Sequence, residues 1–159
     1  MTIEEKIMEM GQKIPEYHQP DVPLIPANCA GGLIFSSGNT ATKDGKLFCQ
    51  GIVGENITLE QAKEAAQICT LNCLSSMRHT LKGDLERIKK IIKVNGYVAC
   101  TPDFRQQADV INMVSFMILD AFGQKGQHAR SALGVSSLPG GSPVEVEIIA
   151  EYELSLIHI

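Results

Sequence analysis

His128-Ala129-Arg130-Ser131-Ala132-Leu133-Gly134-Val135, followed by Leu138-Pro139 and then Val144-Glu145-Val146-Glu147, sets out the C-terminal end of this 159-residue chain. Residues 129–137 predict a strand, Leu138-Pro139-Gly140-Gly141 a turn, and residues 144–153 a closing strand. Side chains alternate across a strand, so Val144, Val146, Ile148, Ala150 and Tyr152 share one face. Glu145, Glu147, Ile149, Glu151 and Glu153 share the other. Arg130 opens the first of these strands and Glu145 lies near the start of the second. As antiparallel neighbours they would come within reach of each other at the mouth of the sheet. A guanidinium is a planar fork that matches a carboxylate with two parallel hydrogen bonds, and a nearby Glu can hold a water or move a proton. Spacing alone leaves two readings open. Arg130 and Glu145 pair with each other, across the sheet or across a subunit boundary, or Arg130 grips a small carboxylate-bearing ligand.

Toward the N-terminus, Pro102-Asp103 leads into a helix over residues 106–122, carrying Val110, Met113, Val114, Met117 and Phe122 and closed by Gly123. Residues 88–100 are rich in β-branched side chains and predict a strand, in which Gly96 permits a bulge or a close approach. The strongest helix signal covers residues 59–81. Thr58 and Gln61 form a capping box, and Ala62, Ala66, Cys69, Cys73 and Met77 make one apolar stripe. Residues 33–37 predict a strand ended by Gly38, and Lys43-Asp44-Gly45-Lys46 a hairpin turn from which residues 47–54 continue. Four prolines (15, 20, 23, 26) make residues 14–26 an extended arm with an edge-strand portion. Residues 2–13 precede it as a short amphipathic helix capped by Thr2.

The order of elements predicts an α+β domain, a mixed sheet with two long helices packed on one face. No helix remains for the other face, so an oligomer that buries it is expected. Residues 1–23 are expected to be a helix and arm, 24–154 the domain proper, and 155–159 a non-native or disordered tail.

A formal net charge of −4 without basic clusters argues against a nucleic-acid partner, because phosphate binding wants clustered Lys and Arg. Cysteines 29, 49, 69, 73 and 100 form no CxxC pair, so they read as small buried hydrophobes in a reducing compartment and no metal is expected. The first residues lack the basic start and apolar stretch of a secretory signal, and no apolar run reaches membrane-spanning length. A cytoplasmic protein without a membrane partner is the expectation.

The segment from His128 to Glu147 closely resembles the C-terminal signature of the Rid family, also known as the YjgF or L-PSP endoribonuclease-like family: an Arg-Ser pair, an aliphatic run, Leu-Pro, then Val-Glu-Val-Glu. Ser36-Ser37-Gly38-Asn39 resembles that family's Ser-Gly-Gln/Asn strand end, Asp103-Phe104 the entry to its second helix, and Asn112 an Asn of that helix. The similarity spans roughly residues 24–153. It implies a chorismate-mutase-like fold assembled as a homotrimer, with ligand clefts between subunits. Family enzymes hydrolyse 2-imino and enamine acids to 2-keto acids and ammonia without a cofactor. By that resemblance Arg130 grips the substrate carboxylate, and Glu145 positions the attacking water and handles protons. Ser37, Gly38 and Asn112 line the cleft, and backbone groups near Ala132 contact the imine.

The chain departs from the deaminase pattern in three places. Ile25-Pro26-Ala27-Asn28 stands where well-known members have Gly-Pro-Tyr, Ala132 stands where they often have Cys, and the N-terminal helix and arm are additions. A non-catalytic trimer that holds a metabolite carboxylate is therefore the alternative to the deaminase. Ribonuclease activity, the source of the family's older name, sits poorly with the acidic balance and lack of stacking aromatics. His128 is expected to point away from the face of Ala129 as a hydrogen-bonding histidine rather than a base. Ser37 and Ser131 lack the partners of a nucleophile.

Overall fold

The computed structural model describes residues 1–154; the expected tail at 155–159 lies outside the described residues. Helix α1 (Ile3–Glu9) is closed at its start by a reciprocal capping box between Thr2 and Glu5 and buries Ile3 and Ile7. It is shorter than the expected 2–13. The arm that follows forms no strand; the edge strand is β1 (Ala27–Ala30), just beyond the last proline of the arm, antiparallel to β2 (Leu33–Ser36). Next come β3 (Asn39–Thr40) and the small hairpin β4 (Thr42–Lys43) and β5 (Lys46–Leu47), turned by Asp44 and Gly45, both at positive φ. The strand expected to continue through residue 54 stops at Leu47. There Asn56 Oδ1 accepts from the Ile52 amide at 2.8 Å and folds the segment into a loop.

Helix α2 (Leu59–Thr80) carries the expected capping box of Thr58 and Gln61. It is followed by β6 (Ile88–Ala99), α3 (Gln107–Phe122), β7 (Ala129–Val135) and β8 (Val144–Tyr152). The sheet order is β1-β2-β8-β6-β7, with β3 continuing alongside β8. Only β6 and β7 are parallel, because α3 carries the chain from the end of one back to the start of the other. This corrects the expectation that β7 and β8 are antiparallel neighbours. The loop 136–143 passes the end of β6, so that β6 lies between them.

Val144, Val146, Ile148 and Ala150 of β8 are wholly buried beneath the helices, as the alternation predicts. Cys69 and Cys73, one turn apart on α2, lie against the same strand and donate to the carbonyls of Val144 and Val146 at 3.4 and 3.2 Å. Burial pushes the Cys69 thiol well up and the Cys73 thiol up to about 12, so both stay protonated donors. Gly96 of β6 sits under α3, where an added Cβ would lie 2.5 Å from Ile111 Cδ1. The opposite sheet face stays partly open, with Phe35 42% and Leu133 52% exposed. No helix among the described residues is long and apolar enough to cross a membrane.

Candidate functional site

Arg130 stands near the start of the edge strand β7, paired with Val94 of β6, which is in turn paired with Ile148 of β8. Residues in register share a face, so Arg130 projects on the helix side of the sheet, at its rim under α3. Asn112 and Ser115 are three residues apart and therefore on one side of α3. Arg130 Nη1 donates to Asn112 Oδ1 at 2.7 Å and to Ser115 Oγ at 3.2 Å. A guanidinium has five N–H groups. The two on Nη1 are thus committed, and the edge formed by Nε and Nη2 makes no hydrogen bond among the described residues. Arg130 forms no ion pair among them either. That edge is the one that binds a carboxylate side-on with two parallel bonds. His128 projects on the same side as Arg130 and meets Ser115 Oγ through Nε2 at 2.9 Å.

Glu145 is on the other face. It is in register with Tyr97 of β6 and through it with Leu133, on the open side of the sheet. The side chains expected to meet are therefore divided by the sheet itself. Glu145 instead stands beside Glu147, and Tyr97 Oη donates to Glu147 Oε1 at 2.7 Å while Asn95 Nδ2 donates to the same oxygen at 3.3 Å. Burial, and then the neighbouring Glu147 charge, raise the Glu145 carboxyl above the ordinary glutamate value. The bond to Glu147 pushes the Tyr97 hydroxyl up to about 12, so it remains a donor across the neutral range. Gly38 lies directly against the Glu145 carboxylate; a Cβ there would collide with Oε2.

Ser37 borders a groove of about 470 Å³ whose other walls include Val22, Leu24 and Ile25 of the arm, Asn28 and Phe35. Its hydroxyl donates to the Ile25 carbonyl at 2.6 Å and its amide to the Pro26 carbonyl at 2.9 Å, fastening the arm to the groove. Ala132 is two residues beyond Arg130 on the same side of β7, in register with Gly96. The chain thus brings Arg130, Asn112 and Ala132 together, and Gly38 with Glu145 on the opposite face, with Ser37 next to Gly38.

Four residues at these places were not singled out from sequence as site residues: Asn95, Tyr97, Ser115 and Glu147. For three of them the sequence carries a signal. Asn95 and Tyr97 have the parity along β6 that faces Glu147 and Glu145, and Ser115 follows Asn112 by one helical turn. Tyr97 also places a tyrosine on the open face, although the Gly-Pro-Tyr segment is absent. No group of three or more His, Cys, Asp or Glu that could hold a metal ion occurs among the described residues.

A model of the family described as YjgF/chorismate mutase-like, "putative endoribonuclease" matches residues 4–152, taking in α1 and the arm as well as the sheet and long helices. The chain is 35% identical over 146 residues to Protein TCP17 of Trypanosoma cruzi, covering 91% of each. Among solved structures it is similar to Atu1372 of Agrobacterium tumefaciens, a protein of unknown function, with 36% identity, a TM-score of 0.88 and coverage of 96% of this chain and 93% of that one. It shares its fold with Escherichia coli TdcF, solved with bound serine, at 18% identity and a TM-score of 0.59, covering 87% of this chain and 93% of that one.

Proposed function

The chain belongs to the YjgF/chorismate mutase-like family, and from that premise we propose that it is an intracellular, cofactor-independent deaminase that hydrolyses 2-imino and enamine acids to 2-keto acids and ammonia. The observation that carries the reading is the clamped Arg130, whose Nη1 is fixed by Asn112 and Ser115 while its Nε–Nη2 edge has neither bond nor counter-charge among the described residues. Such a group suits a small α-carboxylate, and the serine in TdcF bears one. In this proposal the active unit is a homotrimer, because Arg130 and Glu145 of one chain lie on opposite faces and one ligand cannot touch both. A neighbouring copy laid on the open face, over Phe35 and Leu133, supplies the missing partner. Residues 24–154 form the catalytic domain, and residues 1–23 the arm beside the Ser37 groove.

The carboxylate of the substrate seats on Arg130 and presents the imine carbon to a water held by Glu145 of the next copy. Glu145 takes a proton from that water as its oxygen adds to the C=N carbon, giving a tetrahedral aminol. That proton passes to nitrogen, the hydroxyl proton follows it by way of Glu145, the C–N bond breaks, and ammonia leaves as the keto group forms. Burial raises the Glu145 carboxyl above the ordinary glutamate value, in the direction that suits a group which must both take and return a proton. Orientation together with one proton-handling group is enough for so reactive a substrate. The acidic pair Glu145 and Glu147 disfavours a phosphate backbone, so a small acid fits this place better than RNA.

One observation favours the alternative, a trimer that binds the acid without turnover: the Ser37 hydroxyl is already engaged with the arm. A coupled assay separates the two. A dehydratase generates 2-iminobutanoate in the presence of semicarbazide, with and without this protein. Faster keto-acid release that disappears in Arg130→Ala supports the deaminase. Calorimetric binding of 2-oxobutanoate without any gain in rate supports the binding trimer.

A further inference from the structure

A file of hydrogen bonds runs behind Arg130 from Nη1, away from its Nε–Nη2 edge. His128 Nδ1 lies 2.5 Å from the Gly126 carbonyl, which can only accept, so Nδ1 carries the hydrogen. In the neutral ring Nε2 is then the acceptor, and the Ser115 hydroxyl, 2.9 Å away, donates to it. With its hydrogen so directed, Ser115 Oγ turns its lone pairs to Arg130 Nη1 at 3.2 Å. Every link points the same way, from Arg130 to Ser115 to His128, and each donor in such a chain is strengthened by the next. Asn112 fixes the other hydrogen of Nη1. Two acceptors on one nitrogen define the plane of the guanidinium, and bidentate binding of a carboxylate requires that plane. His128, Ser115 and Arg130 are all partly buried, which restricts the competition of water for these bonds.

We infer that His128 is a positioning residue which, through the Ser115 hydroxyl, holds the plane of the Arg130 guanidinium and so sets the affinity of the site for the ligand carboxylate. The inference rests on the proposed role of Arg130 but not on turnover. His128 touches no reacting atom. Without it the Ser115 hydroxyl is free to rotate, its hydrogen can turn toward Nη1, and the guanidinium swings about the remaining bond to Asn112.

Calorimetry with 2-oxobutanoate, and with 2-oxobutanamide as the analogue that lacks the charged carboxylate, tests this in the assembled protein. His128→Ala and Ser115→Ala are expected to weaken 2-oxobutanoate binding about tenfold, the order of one hydrogen bond to a charged group, while leaving the amide unchanged. His128→Gln, which keeps an acceptor for Ser115, is expected to recover most of the loss. In an Arg130→Ala background the His128→Ala change is expected to add nothing, since the two act as one unit. Equal weakening of both ligands, or additive losses in the double variant, would overturn the inference. So would full affinity in His128→Ala when Arg130→Ala has lost it. Full affinity in Arg130→Ala itself would instead overturn the reading of Arg130 on which the inference stands.

Discussion

Arg130 and Glu145 lie on opposite faces of one sheet, with β6 between their strands. Arg130 is in register with Val94 and Ile148, both wholly buried under the helices, and Glu145 with Tyr97 and Leu133 on the open side. The two are therefore not an ion pair within the chain. On the proposed reading each belongs to a different cleft of the trimer, and both clefts are completed by neighbours.

Glu145 is held above the ordinary glutamate value by burial first and the Glu147 charge second. A raised carboxyl favours its neutral form in the folded protein, so the native state carries a penalty that grows as the pH rises from the unfolded value and is complete above the folded-state value. Glu145→Gln is expected to raise the melting temperature at neutral pH. The gain should shrink as the pH falls through that raised value and vanish below the unfolded one, where both side chains are neutral. Thermal unfolding from pH 3 to 8 measures it; a gain that is constant with pH contradicts the assignment.

Glu147 supplies the smaller of the two contributions. Glu147→Gln is expected to move the acid limb of the rate profile to lower pH without bringing Glu145 back to an ordinary glutamate, because its burial remains. With the Tyr97 hydroxyl at about 12, that residue adds no alkaline limb in the neutral range. A pH–rate series on wild type and variant decides it, and an acid limb that does not move excludes the coupling.

Gly96 lets α3 approach β6, and Ile111 adjoins Asn112, which clamps Arg130. Gly96→Ala overpacks this contact at a cost of about 1–3 kcal/mol, or roughly 2–4 °C in melting temperature per kcal/mol at this chain length. Displacing α3 should also weaken carboxylate binding. Calorimetry on the folded variant is expected to show the two losses together.

Arg78 of α2 binds α1 through Glu4 and the arm through Glu16 and, at 3.0 Å, the Pro15 carbonyl, to which Ser75 also donates at 2.6 Å. Arg78→Ala leaves the Ser75 bond, so a loss of about 1–2 kcal/mol is expected. Limited proteolysis should then cut first within residues 10–26, with the sheet and long helices intact. A cleavage pattern identical to wild type contradicts the latch.

The helices and the last strand are legible in the sequence because their signals are local. The cap at Thr2, the capping box at Thr58, the stripe through Cys69 and Cys73, and the alternation of β8 each concern neighbours in the chain. The partner of a strand is not local. Alternation in β8 tells which face Glu145 takes but not whether β6 or β7 lies beside it, and the turn-like Pro139-Gly140-Gly141 suggested a hairpin where a loop passes the end of β6. For the same reason Arg130 and Asn112 were found separately, while Ser115, which joins Arg130 to His128, carried no motif of its own. Tyr97 and Asn95 belong to a strand whose β-branched composition signals its existence, whereas their place opposite Glu145 and Glu147 depends on the register with β8.

The central claim, a cleft built from Arg130 of one copy and Glu145 of another, is tested most directly by complementation. Arg130→Ala and Glu145→Gln chains, each inactive alone, are co-expressed in equal amounts and assayed for 2-iminobutanoate hydrolysis beside the wild type. Random assembly into trimers restores a complete pair at about a quarter of the clefts, and the account predicts a rate near that fraction of wild type. Mixed trimers that form but work no faster than either variant alone, while the wild type turns over, would contradict it.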